Sequence, residues 1–92
     1  EEILAEKVRA LMTRKRARDL YDIAILLKKQ VDLKYDLINK KLSYYNKTFN
    51  QEEFMLQASS IKDIWQSELH GLFVKLPSFD DSLNLVLDKI KH

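Results

Sequence analysis

The chain has 92 residues, of which 46% are hydrophobic and 33% are charged, and its formal net charge is +2. This length and composition indicate one globular domain, or one part of a larger protein, with a thin hydrophobic core. The longest apolar run, Ile23 to Leu27, is too short to span a membrane, the absence of cysteine excludes disulfides and thiol chemistry, and only two histidines argue against a zinc site.

Apolar residues recur at spacings of three and four, which predicts an all-α bundle of five or six helices without a strand. The first helix is expected from about Glu2 to Thr13, and Lys7 falls inside its apolar stripe. A lysine in that sector must extend to solvent or pair with an anion. The nearest carboxylates, Asp19 and Asp22, are three residues apart and share one helix face.

The second helix is expected from about Ala17 to Lys29. Its apolar residues occupy every side, which predicts that Ile23 to Leu27 lie at the centre of the bundle.

Positive charge is concentrated at the beginning of the chain. Residues 1–30 hold eight Lys/Arg against five Asp/Glu, whereas residues 51–92 hold four against seven, so these parts carry +3 and −3. Between the first two helices, Arg14-Lys15-Arg16 with Arg18 form the densest cationic cluster. Such a cluster suits the phosphates of a nucleotide or nucleic acid, or it is a solvated connector.

The remaining helices are placed mainly by capping patterns. The third is expected from about Leu33 to Ser43. The expected caps are Asp32 for the third helix, Asn50 with Glu53 for the fourth, Ser60 with Asp63 for the fifth, and Ser78 with Asp81 for the sixth. The fifth helix is expected to continue through Gly71 and to stop at Pro77. Its predicted apolar stripe consists of Ile61, Ile64, Trp65, Leu69, Leu72, Phe73 and Leu76.

Aromatic residues near the third and fourth predicted helices alternate with lysines. They are Tyr35, Tyr44, Tyr45 and Phe49, among Lys34, Lys40, Lys41 and Lys47. They either cover edges of the core or stack on the bases of a nucleic-acid strand. Trp65 is expected in the core because it lies on an apolar stripe, and His70 is expected at the surface.

The first two helices carry a family resemblance. The residues concerned are Glu2-Ile3-Leu4-Ala5-Glu6-Lys7-Val8-Arg9-Ala10-Leu11, then Arg14, then Arg18-Asp19-Leu20-Tyr21-Asp22. This pattern resembles the later half of the AbiEii/AbiGii-type nucleotidyltransferase toxins, which belong to bacterial abortive-infection (phage-defence) and toxin–antitoxin systems. Trp65, Leu69 and Leu76-Pro77-Ser78-Phe79 are compatible with the C-terminal region of the same family.

The resemblance implies transfer of a nucleoside monophosphate from a nucleoside triphosphate on a polymerase-β-like fold. Such a fold uses a Gly-Ser loop for phosphates and aspartates on a strand for two Mg²⁺ ions. The chain has neither, because its single glycine, Gly71, precedes Leu72, and Asp80-Asp81 begin a predicted helix. We therefore expect residues 1–92 to be a single helical domain from the C-terminal part of a longer cytoplasmic protein. In that case Mg²⁺ and the triphosphate belong to the full-length protein and no metal ligand is assigned here. The helical pattern at Glu1-Glu2, without an initiator methionine, agrees with this expectation.

The resemblance also assigns roles to the motif. Lys7, Asp19 and Asp22 are the expected catalytic residues, and Lys7, Arg14 and Arg18 are expected to bind the triphosphate substrate. The alternative is that Lys7 and the two aspartates form an interhelical clamp without chemistry.

Several partners follow from the resemblance. They are a nucleoside triphosphate, an acceptor that is tRNA, another nucleic acid or a protein, an antitoxin, and the upstream catalytic domain. An exposed apolar patch around Leu4, Lys7 and Leu11 is expected to promote self-association. The alternative function is a non-enzymatic helical module that binds RNA or a protein through its basic N-terminal end.

Overall fold

The computed structural model describes residues 1–71 and 77–91, and within them it contains six α-helices and no strand. The predicted all-α bundle is therefore confirmed. The helices are α1 (Glu2–Thr13), α2 (Ala17–Lys28), α3 (Tyr35–Ser43), α4 (Gln51–Ser60), α5 (Lys62–Leu69) and α6 (Phe79–Lys91). None of the helices in these residues combines the length and the apolar character that crossing a membrane requires.

Helices α1 and α2 form the centre of the bundle. Helix α1 packs against α2, α3 and α4, while α2 packs against α1, α5 and α6. The central position predicted for residues 23–27 is confirmed at Ile23, Ala24 and Leu27, which are buried. Ile25 and Leu26 are only partly buried, so α2 keeps one accessible side.

The predicted apolar patch on the first helix is wrong in its composition. Leu4 and Leu11 are buried, because α3 and α4 cover the faces of α1 that α2 leaves free. The exposed apolar residue of α1 is instead Ile3, at 66% exposure. Lys7 lies beside it, with a partly exposed side chain.

Two helices end in residues with a left-handed backbone. Gln30 (φ 65°) follows α2 and Asn46 (φ 57°) follows α3. The backbone N–H of Val31 donates to the carbonyl of Leu26 over 3.1 Å, which closes the first of these turns. The chain then remains extended until the N-cap of α3, which is Lys34 and makes no side-chain capping bond. The predicted capping role of Asp32 is therefore wrong, and α3 begins two residues later than expected.

The capping predictions for α4 and α5 have opposite outcomes. Asn50 caps α4 as predicted, because its Oδ1 accepts the backbone N–H of Glu53 over 2.8 Å. The predicted cap at Ser60 is wrong. Helix α4 continues through Ser60, whose hydroxyl donates to the Gln57 carbonyl over 2.6 Å. Only Ile61 separates α4 from α5, and its backbone is itself helical.

Helix α5 and the start of α6 test three predictions, on the end of α5, the cap of α6 and the burial of Trp65. Helix α5 ends at Leu69, and Gly71 has a φ of 82°, so the predicted continuation through Gly71 is wrong. The predicted stripe residues Leu72, Phe73 and Leu76 lie outside the described residues. Ser78 caps α6 as expected, with its hydroxyl accepting the Asp81 N–H over 3.3 Å. Trp65 is 4% exposed and its indole N–H donates to the Pro77 carbonyl over 3.0 Å, which confirms its place in the core.

Candidate functional site

Lys7 lies between two carboxylates at the contact of α1 with α2. Its Nζ is 3.0 Å from Asp22 Oδ2 and 3.8 Å from Asp19 Oδ1. Each aspartate also accepts hydrogen bonding from an arginine. Arg14 donates to Asp19 through Nε (2.9 Å) and Nη2 (3.2 Å), and Arg18 donates to Asp22 Oδ1 through Nε (3.2 Å). The structure thus brings together all five residues that the sequence singled out, and we call them the Lys7 cluster.

Burial differs sharply within the Lys7 cluster. Asp19 is 1% exposed, whereas Lys7 is 29% and Asp22 is 21% exposed. The guanidinium groups of Arg14 and Arg18 reach solvent. Three cations and two carboxylates give the cluster a net charge of +1, with its anionic part inside and its cationic part outside. Among the described side chains, no buried nitrogen or oxygen atom lacks a hydrogen-bond partner.

Local geometry explains why a carboxylate is stable at position 19. Asp19 belongs to the first turn of α2, where the helix dipole favours negative charge. The two-point hydrogen bond from Arg14 satisfies both of its oxygens. The same bond, followed by the charge of Asp19, raises the pKa of the Arg14 guanidinium. Arg14 therefore stays charged at every physiological pH.

Glu68 supports this corner of the molecule and was not found from the sequence. Its Oε1 accepts the backbone N–H of Ala17, the first residue of α2, over 2.7 Å, and lies 4.0 Å from Arg16 Nε. Fifty-one positions separate Glu68 from Ala17. No local pattern signals such a contact, because the packing of α5 against α2 creates it.

An open groove of about 190 Å³ adjoins the Lys7 cluster. Its lining consists of Ile3, Lys7, Tyr21, Asp22, Ile25 and Leu26. One end of the groove is the Lys7–Asp22 ion pair and the remaining walls are mainly apolar. A charged group of a ligand could reach Lys7 here while an uncharged portion lies against Ile3 and Ile25.

The opposite side of α1 carries a second group of charges. Lys41 Nζ, from α3, is 2.8 Å from Glu2 Oε1 and 3.5 Å from Glu6 Oε2. Arg9 forms an ion pair with Glu6, and its guanidinium carbon lies 5.2 Å from the centre of the Tyr45 ring. The hydrogen bond from Lys41 lowers the pKa of Glu2, and that from Arg9 lowers the pKa of Glu6. This group fastens α3 to α1.

A divalent metal ion does not fit the carboxylates of the Lys7 cluster. Asp19 already contacts Lys7 and Arg14, and Asp22 already contacts Lys7 and Arg18. A dication placed there would face three cations at close range. Elsewhere in residues 1–71 and 77–91, no three His, Cys, Asp or Glu side chains are grouped so that they could hold a metal ion.

A cation held between two carboxylates beside an open groove is an arrangement suited to phosphate-containing ligands. In agreement with this class, the family model described as "Nucleotidyl transferase AbiEii toxin, Type IV TA system" matches residues 1–85. The match includes every residue of the Lys7 cluster, and the chain belongs to this family. No curated protein and no solved structure matches the chain.

Family membership confirms the resemblance drawn from the first two helices and extends it into α6. The chain is thus part of the nucleotidyltransferase toxin class of toxin–antitoxin systems. That class implies a nucleoside triphosphate as substrate and an antitoxin as partner.

Proposed function

We propose that Lys7 contacts the triphosphate of the substrate during nucleotidyl transfer, and that Asp19 and Asp22 keep Lys7 charged and oriented. The observation that carries this proposal is the position of Lys7. It lies between two carboxylates at the end of a groove, and 29% of its side chain is exposed. A lysine needed only for packing would gain nothing from access to the groove.

The different exposure of Asp19 and Asp22 supports different roles for these two residues. Asp19 is enclosed and bonded to Arg14 at two points, so it acts as the fixed anion of the cluster. Asp22 is more accessible and pairs with Lys7 and Arg18. When a triphosphate binds, the ion pair between Asp22 and Lys7 can weaken, and the Lys7 ammonium then donates a charge-assisted hydrogen bond to a phosphate oxygen.

Arg14 and Arg18 extend the cationic surface around Lys7. Both guanidinium groups keep free N–H donors on their solvent side, because each carboxylate occupies only part of the donor set. In the proposal these donors bind the outer phosphates. The metal ions that such a transfer uses are held by protein groups other than the Lys7 cluster, which is already positively charged.

The decisive experiment is Lys7→Met in the full-length toxin. The substitution keeps most of the apolar stem and removes the charge. We expect the variant to fold, to melt near the parent and to lose growth arrest and nucleotide transfer, with a fall in transfer rate of about 100-fold or more. Growth arrest on induction, transfer of a labelled nucleotide in a lysate, and the melting temperature are the measurements.

Lys41→Met is the matched control, because Lys41 is also on a helix of the bundle, is similarly exposed at 22% and also bridges two carboxylates. It should retain arrest and transfer. Asp22→Asn, which preserves shape but deletes a charge, should behave like Lys7→Met. If folded Lys7→Met still arrests growth, the cluster is an interhelical clamp and the proposed catalytic role is wrong.

A further inference from the structure

The structure separates Tyr35, Tyr44, Tyr45 and Phe49, the aromatic residues that alternate with lysines, into two pairs. Tyr35 and Phe49 pack on each other with ring centres 5.0 Å apart, and the Tyr35 hydroxyl donates to the Ile90 carbonyl over 3.1 Å. These two cover an edge of the core. Tyr44 and Tyr45 instead follow α3 and are 82% and 50% exposed. Burial therefore does not account for the second pair.

The backbone that carries Tyr44 and Tyr45 is fixed. The N–H of Lys47 donates to the Leu42 carbonyl and that of Asn46 to the Ser43 carbonyl, both over 3.1 Å, with Asn46 in the left-handed conformation. This pattern closes a helix in a defined turn. The two tyrosines thus stand on an ordered corner, so binding a ligand there would cost little backbone entropy.

Two lysines and one arginine lie near this turn. Lys40 lies in the last turn of α3, and Lys47 follows the tyrosines with its Nζ 3.5 Å from Glu53. The Arg9 guanidinium covers one face of Tyr45, and Arg9 Nη1 donates to the Tyr45 hydroxyl over 3.3 Å. The other face of Tyr45 has no ring or guanidinium partner among the described residues, and neither does the Tyr44 ring.

We propose that Tyr44, Tyr45, Lys40 and Lys47 form a surface that binds single-stranded nucleic acid. Bases stack on the two exposed rings, and the two lysines contact phosphates, as in proteins that bind single strands with little sequence preference. A duplex does not suit this surface, because its bases are already stacked. A protein partner is disfavoured because the exposed rings have cationic neighbours and do not form a wide apolar patch.

This inference goes beyond the proposed function, since none of these four residues belongs to the Lys7 cluster. It is tested by binding alone. A failure to bind would leave the Lys7 proposal standing, and an inactive Lys7→Met variant that still binds the strand would separate the two.

The experiment measures the fluorescence anisotropy of a labelled single-stranded RNA of about ten nucleotides, titrated with the 92-residue chain at low and at moderate salt. We expect salt-sensitive binding that Tyr44→Ala weakens about tenfold and Tyr44→Phe preserves, because stacking needs the ring and not the hydroxyl. Lys40→Gln should flatten the salt dependence. Leu56→Ala is the matched control, because it removes another exposed apolar side chain, on α4, and should bind like the parent.

Three results would overturn the inference. The first is no binding at low salt with a chain shown to be folded by circular dichroism. The second is equal affinity for a duplex of the same length, with no effect of Tyr44→Ala, which would indicate general electrostatic attraction. The third is Tyr44-dependent binding of an acidic peptide in place of RNA, which would make this a protein-docking surface.

Discussion

Lys7 and Lys41 make similar contacts but have different surroundings. Both ammonium groups bridge two carboxylates across a helix contact with α1. The partners of Lys41 are solvated, since Glu2 is 71% exposed, whereas Lys7 pairs with the buried Asp19. Exposed pairs contribute little because water and salt screen them. A cation beside a buried carboxylate keeps more of its field, and Lys7 also lines the groove.

The Lys41 contacts make a prediction about stability against pH. The pKa values of Glu2 and Glu6 are lowered in the folded chain from the ordinary value of 4.5. Depressed folded values mean that the stabilisation is present above that value and is lost as the pH falls through the lower folded pKa. The urea concentration at the unfolding midpoint should therefore decrease as the pH falls below about 4.5. In Lys41→Met this decrease should be smaller, because the contribution of Glu2 is lost.

The control for this measurement is Lys62→Met, an exposed lysine of α5 that contacts neither glutamate. It should keep the acid dependence of the parent. If the parent and Lys41→Met show identical profiles between neutral pH and pH 3, Lys41 does not hold Glu2 in solution.

At the scale of the helices, α5 packs against α2 and supplies one hydrogen-bond acceptor to its first residue. The N–H groups of the first turn of α2 have no carbonyl partner within the helix. The Arg16 N-cap side chain makes no capping bond, and Glu68 supplies an oxygen to Ala17 instead. A carboxylate at this end also complements the helix dipole. Since Asp19 is in the same turn, the support reaches the Lys7 cluster.

Replacing Glu68 tests this support. Glu68→Ala should lower the free energy of unfolding by about 1 kcal/mol, the usual loss for an N-terminal cap, while Glu68→Gln should lose less because its amide oxygen can still accept the Ala17 N–H. Urea denaturation measures both. Gln66→Ala, on the exposed side of α5, should remain within about 0.5 kcal/mol of the parent. If Glu68→Ala has the same free energy of unfolding as the parent, water accepts the Ala17 N–H as well as Glu68 does.

Local patterns predicted the helices where local interactions determine them. The bounds Glu2–Thr13 and the caps Asn50 and Ser78 follow from periodicity and from side chains within three residues. The expected caps Asp32 and Ser60 failed because the N-cap of α3 is Lys34 and because Ser60 is the last residue of α4 instead of the cap of α5.

The candidate site shows the same limit. The pairing of Lys7 with Asp19 and Asp22 was accessible from the sequence, because a lysine in an apolar stripe requires an anion. The two-point hydrogen bond from Arg14 to Asp19 and the hydrogen bond from the Ala17 N–H to Glu68 could not be predicted from the sequence. The first depends on how the turn between α1 and α2 folds back and the second on the packing of α5 against α2, and periodicity encodes neither.

In the whole molecule, α1 separates two surfaces with different chemistry. The Lys7 cluster and its groove lie on the α2 side, and the exposed tyrosines follow α3 on the other side.

The charge of this arrangement makes a last prediction. A nucleoside triphosphate carries about four negative charges, most of which metal ions neutralise during transfer. The Lys7 cluster offers a net charge of +1 and no place for a dication. We therefore expect the 92-residue chain alone to position a triphosphate weakly and to transfer no nucleotide.

The measurement incubates the folded chain with labelled triphosphates, Mg²⁺ and total RNA, and then separates the acceptors by electrophoresis. A nucleotidyltransferase with a complete two-metal site, assayed in parallel, is the positive control and should label its acceptor. Labelling by the 92-residue chain that disappears in Lys7→Ala would show that these residues hold the metals themselves. One lysine in a cluster with a net charge of +1 cannot replace two dications, so such labelling would require metal ions bound by these residues. The interpretation of the Lys7 cluster as a phosphate-contacting site without a metal ion would then be wrong.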